Sequence, residues 1–163
     1  MAWDGPPTVV DKHDALRSSA LLRDFTDVGL RILAEKSSQR SVGRGTYAFR
    51  AGEPSEALMF VAKGTLQLLP RDGGQPLGEI SAGDCIGGMA LLMEGDHMIS
   101  ALAASDVAIL LFSRSAFEEL KKTHPRTALK LTLALAQDLA ERLREAKGPL
   151  REFLIWQVSK RQA

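Results

Sequence analysis

Apolar residues recur about once per helical turn near the start of the chain. This spacing begins at Asp14 and predicts that the chain becomes helical there. A second helix is predicted where Asp27 can act as N-cap, because aspartate accepts hydrogen bonds from the unpaired N–H groups of a first turn. The apolar residues are Leu16, Ala20, Leu21 and Phe25 in the first helix and Leu30, Ile32 and Leu33 in the second. Residues 1–13 are predicted to be a flexible tail.

From Arg40 to Phe112 the helical period gives way to a strand period. Short apolar or alternating runs are separated by glycine and proline at intervals of about 8–12 residues, which is typical of an antiparallel sandwich or barrel. The Arg-Asp-Gly-Gly sequence at 71–74 predicts a hairpin turn. The predicted strands are Thr46–Arg50, Leu58–Ala62, Thr65–Leu69, Pro76–Ile80, Ile99–Ala104 and Val107–Phe112.

The period becomes helical again after Phe112. A short helix is predicted with Ser113 or Ser115 as its cap. A long helix is predicted over 125–147, because proline is favoured in a first helical turn and the Gly148-Pro149 pair is a stop signal. Residues 148–163 form a C-terminal tail, in which 150–159 could make a short amphipathic helix.

The long helix carries two apolar stripes. One has the alternating spacing of four and three that is typical of a heptad seam, and the other follows a spacing of four. If one stripe covers the barrel, the other needs a second partner, so we expect a homodimer. The alternative is that one wide stripe packs deeply on its own barrel. The predicted dimer residues are Leu129, Leu133, Ala136, Ala140 and Leu143, and the second stripe is Leu131, Leu135 and Leu139.

Composition and charge narrow the class of protein. The 163 residues carry a formal net charge of +1, which argues against nucleic-acid binding driven by bulk charge. Cys85 is the single cysteine, so an internal disulfide and a cysteine-based zinc site are excluded, and a buried thiol is expected. The sequence shows neither an apolar run of about 20 residues nor a signal peptide. We therefore expect a cytoplasmic protein with no membrane contact.

Three segments resemble the cyclic-nucleotide-binding domain family, in its order. Residues 49–68 are similar to the family's segment of glycine, acidic loop, aliphatic strand, Lys-Gly turn and strand. Residues 80–87, Ile-Ser-Ala-Gly-Asp-Cys-Ile-Gly, resemble its Leu-x-x-Gly-Asp-x-Phe-Gly segment, and Met89–Leu92 resembles the short helix that follows. The resemblance implies a mainly β fold with flanking helices: an eight-stranded antiparallel jelly roll followed by a long C-terminal helix. The domain would span 14–147.

The family's phosphate-binding cassette is degenerate here. In the family, backbone N–H groups cradle the cyclic phosphate, a glutamate holds the ribose hydroxyl, and an arginine nine or ten residues later pairs with the phosphate. In this chain the glutamate position is Gly88, and the arginine position is His97 or Met98. The backbone elements Gly87, Gly88, Met89 and Ala90 are retained, as is a hydroxyl at Ser100. Losing both side-chain partners would cost about 3–6 kcal/mol of binding free energy.

We therefore expect a non-enzymatic regulatory module that works through dimerisation and contact with another cytosolic protein. No cofactor is expected, and cyclic AMP or cyclic GMP is not expected to bind in the usual way. The competing hypothesis is a sensor that holds a cyclic nucleotide or another small effector in the barrel pocket. His97 is expected to be a solvated loop residue. No catalytic group or metal site is predicted. DNA binding is not expected either, because the 16 residues after Lys147 cannot hold a helix-turn-helix domain.

Overall fold

The computed structural model of the chain describes residues 8–146 and 148. Its helices are α1 (Lys12–Arg17), α2 (Asp27–Lys36), α3 (Met89–Leu92), α4 (Arg114–Thr123) and α5 (Pro125–Glu145), with a 3₁₀ turn at Ala20–Leu22. Its strands are β1 (Ser38–Val42), β2 (Tyr47–Phe49), β3 (Ala57–Lys63), β4 (Thr65–Pro70), β5 (Gly78–Ser81), β6 (Cys85–Ile86), β7 (Ile99–Ala103) and β8 (Val107–Ser113).

The strands form two four-stranded antiparallel sheets, in the orders β1-β8-β3-β6 and β2-β7-β4-β5. The mainly β fold with flanking helices and a long C-terminal helix is therefore confirmed. Both sheets pair an early strand with a late one, β1 with β8 and β2 with β7. The core of the barrel therefore forms only when segments far apart in the chain pair.

β3 and β8 are apolar along nearly their whole length because both of their faces are covered. They pair in a register that places Phe60 opposite Leu110. These two residues pack with α1, α2, α4 and α5 in one core cluster, whereas Met59 and Ile109 point to the second cluster inside the barrel. The alternation of a strand thus divides one apolar run between two cores.

Several predicted boundaries are wrong in instructive ways. Two strands were not predicted: β1 has a single fully buried residue, Val42, and β6 is two residues long. The first helix ends at Arg17, and a 3₁₀ turn replaces its predicted continuation. The cap of α2 is Thr26, whose hydroxyl accepts the Gly29 N–H at 3.2 Å, and not Asp27, which lies in the first turn.

α5 lies close to the predicted span 125–147. It buries Ala128, Leu131 and Leu135 against the first core cluster. At the start of α4, the cap is Ser113 and not Ser115, because the Ser113 hydroxyl accepts the Ala116 N–H. The predicted tail helix at 150–159 lies outside the described residues.

Candidate functional site

A cavity of about 380 Å³, hereafter the pocket, lies where the barrel meets α5. Its walls come from Leu58 in β3, the segment 85–90, the loop 93–99 and the C-terminal half of α5. Six of the predicted cassette residues line it: Gly87, Gly88, Met89, Ala90, His97 and Met98. Ser100 is outside this lining, and its hydroxyl instead accepts the Ala51 N–H at 2.9 Å. Six of the seven expected cassette residues therefore lie together along this cavity.

The two cassette glycines are required by close contacts. Gly87 has a φ of +86°, and a Cβ there would lie 2.6 Å from the carbonyl oxygen of Ala57. Gly88 has ordinary helical backbone angles, so its constraint is different. A Cβ on Gly88 would lie 2.7 Å from Cδ2 of Leu135, which is 2% exposed. The space beside Gly88 is thus filled by a leucine of α5.

His97 lies against an aromatic ring, so the expectation that it is a solvated loop residue is wrong. Its ring stacks on Phe49 with centroids 4.0 Å apart and planes 16° from parallel. Burial lowers the pKa of His97 below its usual value, with nearby Arg40 acting in the same direction and Glu53 opposing it. The lowered pKa favours the neutral imidazole, which makes His97 a poorer cationic partner for a phosphate than an ordinary histidine.

The other candidate for the arginine position, Met98, is 78% exposed. Two further methionines of the pocket, Met89 and Met93, are 48% and 58% exposed. Three methionine side chains of the pocket are thus exposed to solvent.

Arg142 is the only lysine or arginine among the described residues that line the pocket. Its Nε donates to Oδ2 of Asp138, one turn earlier on α5, at 2.8 Å. This bond raises the pKa of Arg142 further above its already high value. The guanidinium is therefore already paired with a carboxylate.

Arg114 supports the pocket from outside its lining. From the start of α4, its Nε donates to the carbonyl oxygen of Ala90 at 2.6 Å. Its Nη2 donates to the carbonyl oxygens of Ser55 and Met93 at 3.1 and 3.0 Å, and its Nη1 lies 3.7 Å from Glu94. One side chain thus fixes both ends of α3 to the loop before β3.

The residues that sequence reasoning missed are Arg114, Leu135, Asp138 and Arg142. The spacing of four between Asp138 and Arg142 indicates an ion pair on one helix face. That spacing does not indicate which pocket the pair faces, and nothing in the sequence around Arg114 marks it as a clamp.

Cys85 lies between the pocket and a neighbouring cavity of about 220 Å³, and lines both. Burial, followed by the Asp138 carboxylate, raises the pKa of its thiol to about 11. At neutral pH the side chain is thus an uncharged thiol.

The predicted dimer stripe of α5 faces away from the barrel. Leu129, Leu133 and Leu143 are 60%, 55% and 40% exposed, and Ala136 and Ala140 are also exposed. Leu131 and Leu135 of the other stripe are buried, whereas Leu139 is 38% exposed and lines the pocket. The helix therefore presents apolar residues on two sides.

Three residues at the start of α1 bring possible metal-ligating atoms together. The carboxylates of Asp11 and Asp14 and the imidazole of His13 lie within 4.8 Å of one another, but Asp11 already caps α1 by accepting the Asp14 N–H. Within the described ranges, no helix combines the length and apolarity that crossing a bilayer requires.

Comparison with known proteins identifies the family of this chain and several of its relatives. The family model for the cyclic nucleotide-binding domain matches residues 39–124, more than half of the chain. The chain is 30% identical to glutaminase 2 of Bradyrhizobium diazoefficiens over 136 residues, which is 83% of this chain and 22% of that protein. It spans about a quarter or less of the curated relatives that it matches.

Two solved structures share the fold. The N-terminal domain of a transcriptional regulator from Streptomyces coelicolor A3(2) superposes with a TM-score of 0.72 at 23% identity, over 83% of this chain and 99% of that chain. The catabolite activator protein of Thermus thermophilus superposes with a TM-score of 0.71 at 27% identity, over 86% of this chain and 63% of that chain.

Proposed function

The chain belongs to the cyclic nucleotide-binding domain family, and on this premise we propose that it is a non-enzymatic regulatory module with a degenerate pocket. In this proposal the module does not hold cyclic AMP or cyclic GMP in the family's usual way. It acts through self-association and contact with another protein.

The contact between Gly88 and Leu135 carries this proposal. A glutamate at 88 would have to displace a leucine that is packed in the core. At the arginine position, neither the stacked His97 nor the exposed Met98 offers a cation to a phosphate. Two missing charge-assisted hydrogen bonds weaken binding by about 3–6 kcal/mol, so a micromolar site becomes about 0.2 mM or weaker.

Isothermal titration calorimetry tests the proposal. Wild-type protein is titrated with cyclic AMP, cyclic GMP and a cyclic dinucleotide, and no micromolar binding is expected. Two restored variants combine Gly88→Glu and Leu135→Ala with either His97→Arg or Met98→Arg. Leu135→Ala alone is the matched control, because it opens the space without adding the polar partners.

A restored variant that binds cyclic AMP while the control does not would support loss of the site by substitution. Micromolar binding by the wild type would overturn the proposal and identify a sensor with an unconventional cassette.

We propose a second copy of the chain as the partner of the exposed α5 stripe. The spacing of four and three lets two such helices pack knobs into holes, and Ala136 and Ala140 at its centre permit a close approach. Exposed leucines at 129, 133 and 143 would be covered by the same contact.

The second candidate function is a ligand-responsive sensor. The pocket favours it, because a lined cavity of about 380 Å³ is in the size range of small-molecule sites. Release of a bound molecule from purified protein on denaturation, detected by mass spectrometry, would support this candidate over a purely structural role.

The absence of catalysis is also part of the proposal. Glutaminase 2 is named as an enzyme, but this chain matches 22% of its length. We propose that the shared part is regulatory, and that purified chain supplied with glutamine shows no hydrolysis above buffer.

A further inference from the structure

Exposed apolar side chains are concentrated at the mouth of the pocket. Met89, Met93 and Met98 lie there, and Leu92 beside them is 46% exposed. Deeper in the pocket lie Leu58, Ile86 and Leu135. Methionine is flexible and polarizable, so a methionine-rich wall adapts to apolar ligands of varied shape. Clustered exposed apolar residues on a soluble domain indicate an interaction site.

The basic side chains around this apolar wall already have partners. Arg142 is bonded to Asp138, Arg114 to three backbone carbonyls, and Glu94 lies 3.7 Å from Arg114. Among the described residues of the lining, Arg142 is the only lysine or arginine, and its charge is already matched by the Asp138 carboxylate. A ligand phosphate would instead meet the carboxylates of Glu94, Asp96 and Asp138.

We propose that the pocket binds an uncharged, largely apolar small molecule, and that Asp138 is the residue that excludes anions by occupying Arg142. The size of the cavity, its apolar wall and the paired charges support this ligand class. The inference rests on the proposed loss of cyclic nucleotide binding, and it adds what the pocket holds in place of a nucleotide.

In this proposal Asp138 excludes anions by pairing with Arg142, and not only by repelling the ligand directly. Its side chain is 34% exposed at the edge of the pocket, so the pair is partly screened by water. Asp138→Asn would remove the negative charge and leave the guanidinium able to bond an anion. A buried apolar contact between ligand and methionines would be unaffected by this change.

Two fluorescent probes of nearly the same shape test the proposal. N-phenyl-naphthylamine is uncharged, and anilinonaphthalene sulfonate carries one negative charge. We expect wild-type protein to bind one N-phenyl-naphthylamine per chain, at least about tenfold more tightly than the sulfonate, because a sulfonate without a cationic partner loses its hydration. Asp138→Asn should strengthen sulfonate binding about tenfold, the value of one charge-assisted hydrogen bond, and leave the uncharged probe within about twofold.

Matched variants locate the probe. Met93→Glu places a charge at the pocket mouth and should weaken N-phenyl-naphthylamine about tenfold. Leu77→Glu is the control, because Leu77 is 62% exposed, comparable to the 58% of Met93, but lies outside the pocket lining. Arg142→Gln added to Asp138→Asn should abolish the gain in sulfonate binding, and circular dichroism verifies that each variant is folded.

Three results would overturn the inference: no binding of N-phenyl-naphthylamine, equal binding of the two probes, or equal weakening by Met93→Glu and Leu77→Glu. An unchanged sulfonate affinity in Asp138→Asn would overturn the role of Asp138. None of these results restores cyclic AMP binding, whose separate titration decides the proposed function.

Discussion

Substitution of Gly88 by alanine is a direct test of how Leu135 fills the space beside Gly88. The backbone of Gly88 is helical, with φ −56° and ψ −32°, so alanine adds no backbone strain. Its Cβ would lie 2.7 Å from Leu135 Cδ2, and Leu135 is too deeply packed to turn toward solvent. Forcing an extra carbon into a packed site costs about 1–3 kcal/mol of unfolding free energy.

A double-mutant cycle separates this contact from other effects. Leu135→Ala alone should destabilise by about 2–5 kcal/mol through cavity formation. In that background Gly88→Ala has space and should cost close to nothing, so the double variant is about as stable as Leu135→Ala. The expected coupling is then about 1–3 kcal/mol, within the range for residues in contact.

Urea denaturation followed by far-ultraviolet circular dichroism, at one fixed protein concentration, measures these free energies. Gly95→Ala is the matched control: its Cβ would meet nothing within 4 Å and its φ is outside the left-handed region. We expect it to be neutral or slightly stabilising, since alanine restricts the unfolded chain. Additive effects of Gly88→Ala and Leu135→Ala would refute the steric argument.

Three further predictions follow from the described contacts. Leu133→Glu should convert the proposed dimer to a monomer in analytical ultracentrifugation, whereas Val28→Glu, at a position 67% exposed on α2, should not. A wild type that is monomeric at about 100 micromolar, far above a typical dimer dissociation constant, would contradict the proposed dimer. Cys85 should react slowly with a thiol reagent at pH 8 and faster as the pH rises toward its pKa of about 11. Because the folded state holds the thiol proton more tightly than the unfolded chain, the free energy of unfolding should fall above about pH 9. Fast labelling of folded protein at pH 8 would disprove the burial of the thiol. Arg114→Ala should lower the free energy of unfolding in urea by about 1–3 kcal/mol, because it removes three hydrogen bonds to carbonyl oxygens. The control Arg17→Ala should lower it by less than about 0.5 kcal/mol, because the ion pair of Arg17 with a first-turn carboxylate is exposed. Equal losses would show that Arg114 is not a clamp.

Much of the fold could be predicted because its signals are local. The apolar runs of β3 and β8, the glycine turns and the proline at the start of α5 each act within a few residues. β1 and β6 were missed because their pairing comes from distant strands and not from their own composition. The cap of α2 differs from the prediction because Thr26 and Asp27 are both good caps, and backbone geometry selects between them.

The candidate site was predictable on one wall only. The cassette segment 87–90 and residues 97 and 98 follow from sequence order, since the family's spacing is local. Leu135, Asp138 and Arg142 reach the pocket from about 50 residues later in the chain, through the packing of α5 on the barrel. The spacing of residues along α5 does not indicate which face of the helix contacts the pocket.

The amino-acid sequence alone indicates the fold class and the order of the elements, and it has Gly88 and His97 or Met98 where the resemblance would have the family's glutamate and arginine. It also determined that α5 carries two apolar stripes, because a helical period is a property of consecutive residues. Three further features come from the packing of the folded chain: Leu135 fills the space beside Gly88, His97 stacks on Phe49, and Arg142 lines the pocket while paired with Asp138. The first two are contacts between residues far apart in the chain, and the third depends on which face of α5 packs on the barrel, so all three are set by the packing of the barrel and helices and not by the pattern of any one segment.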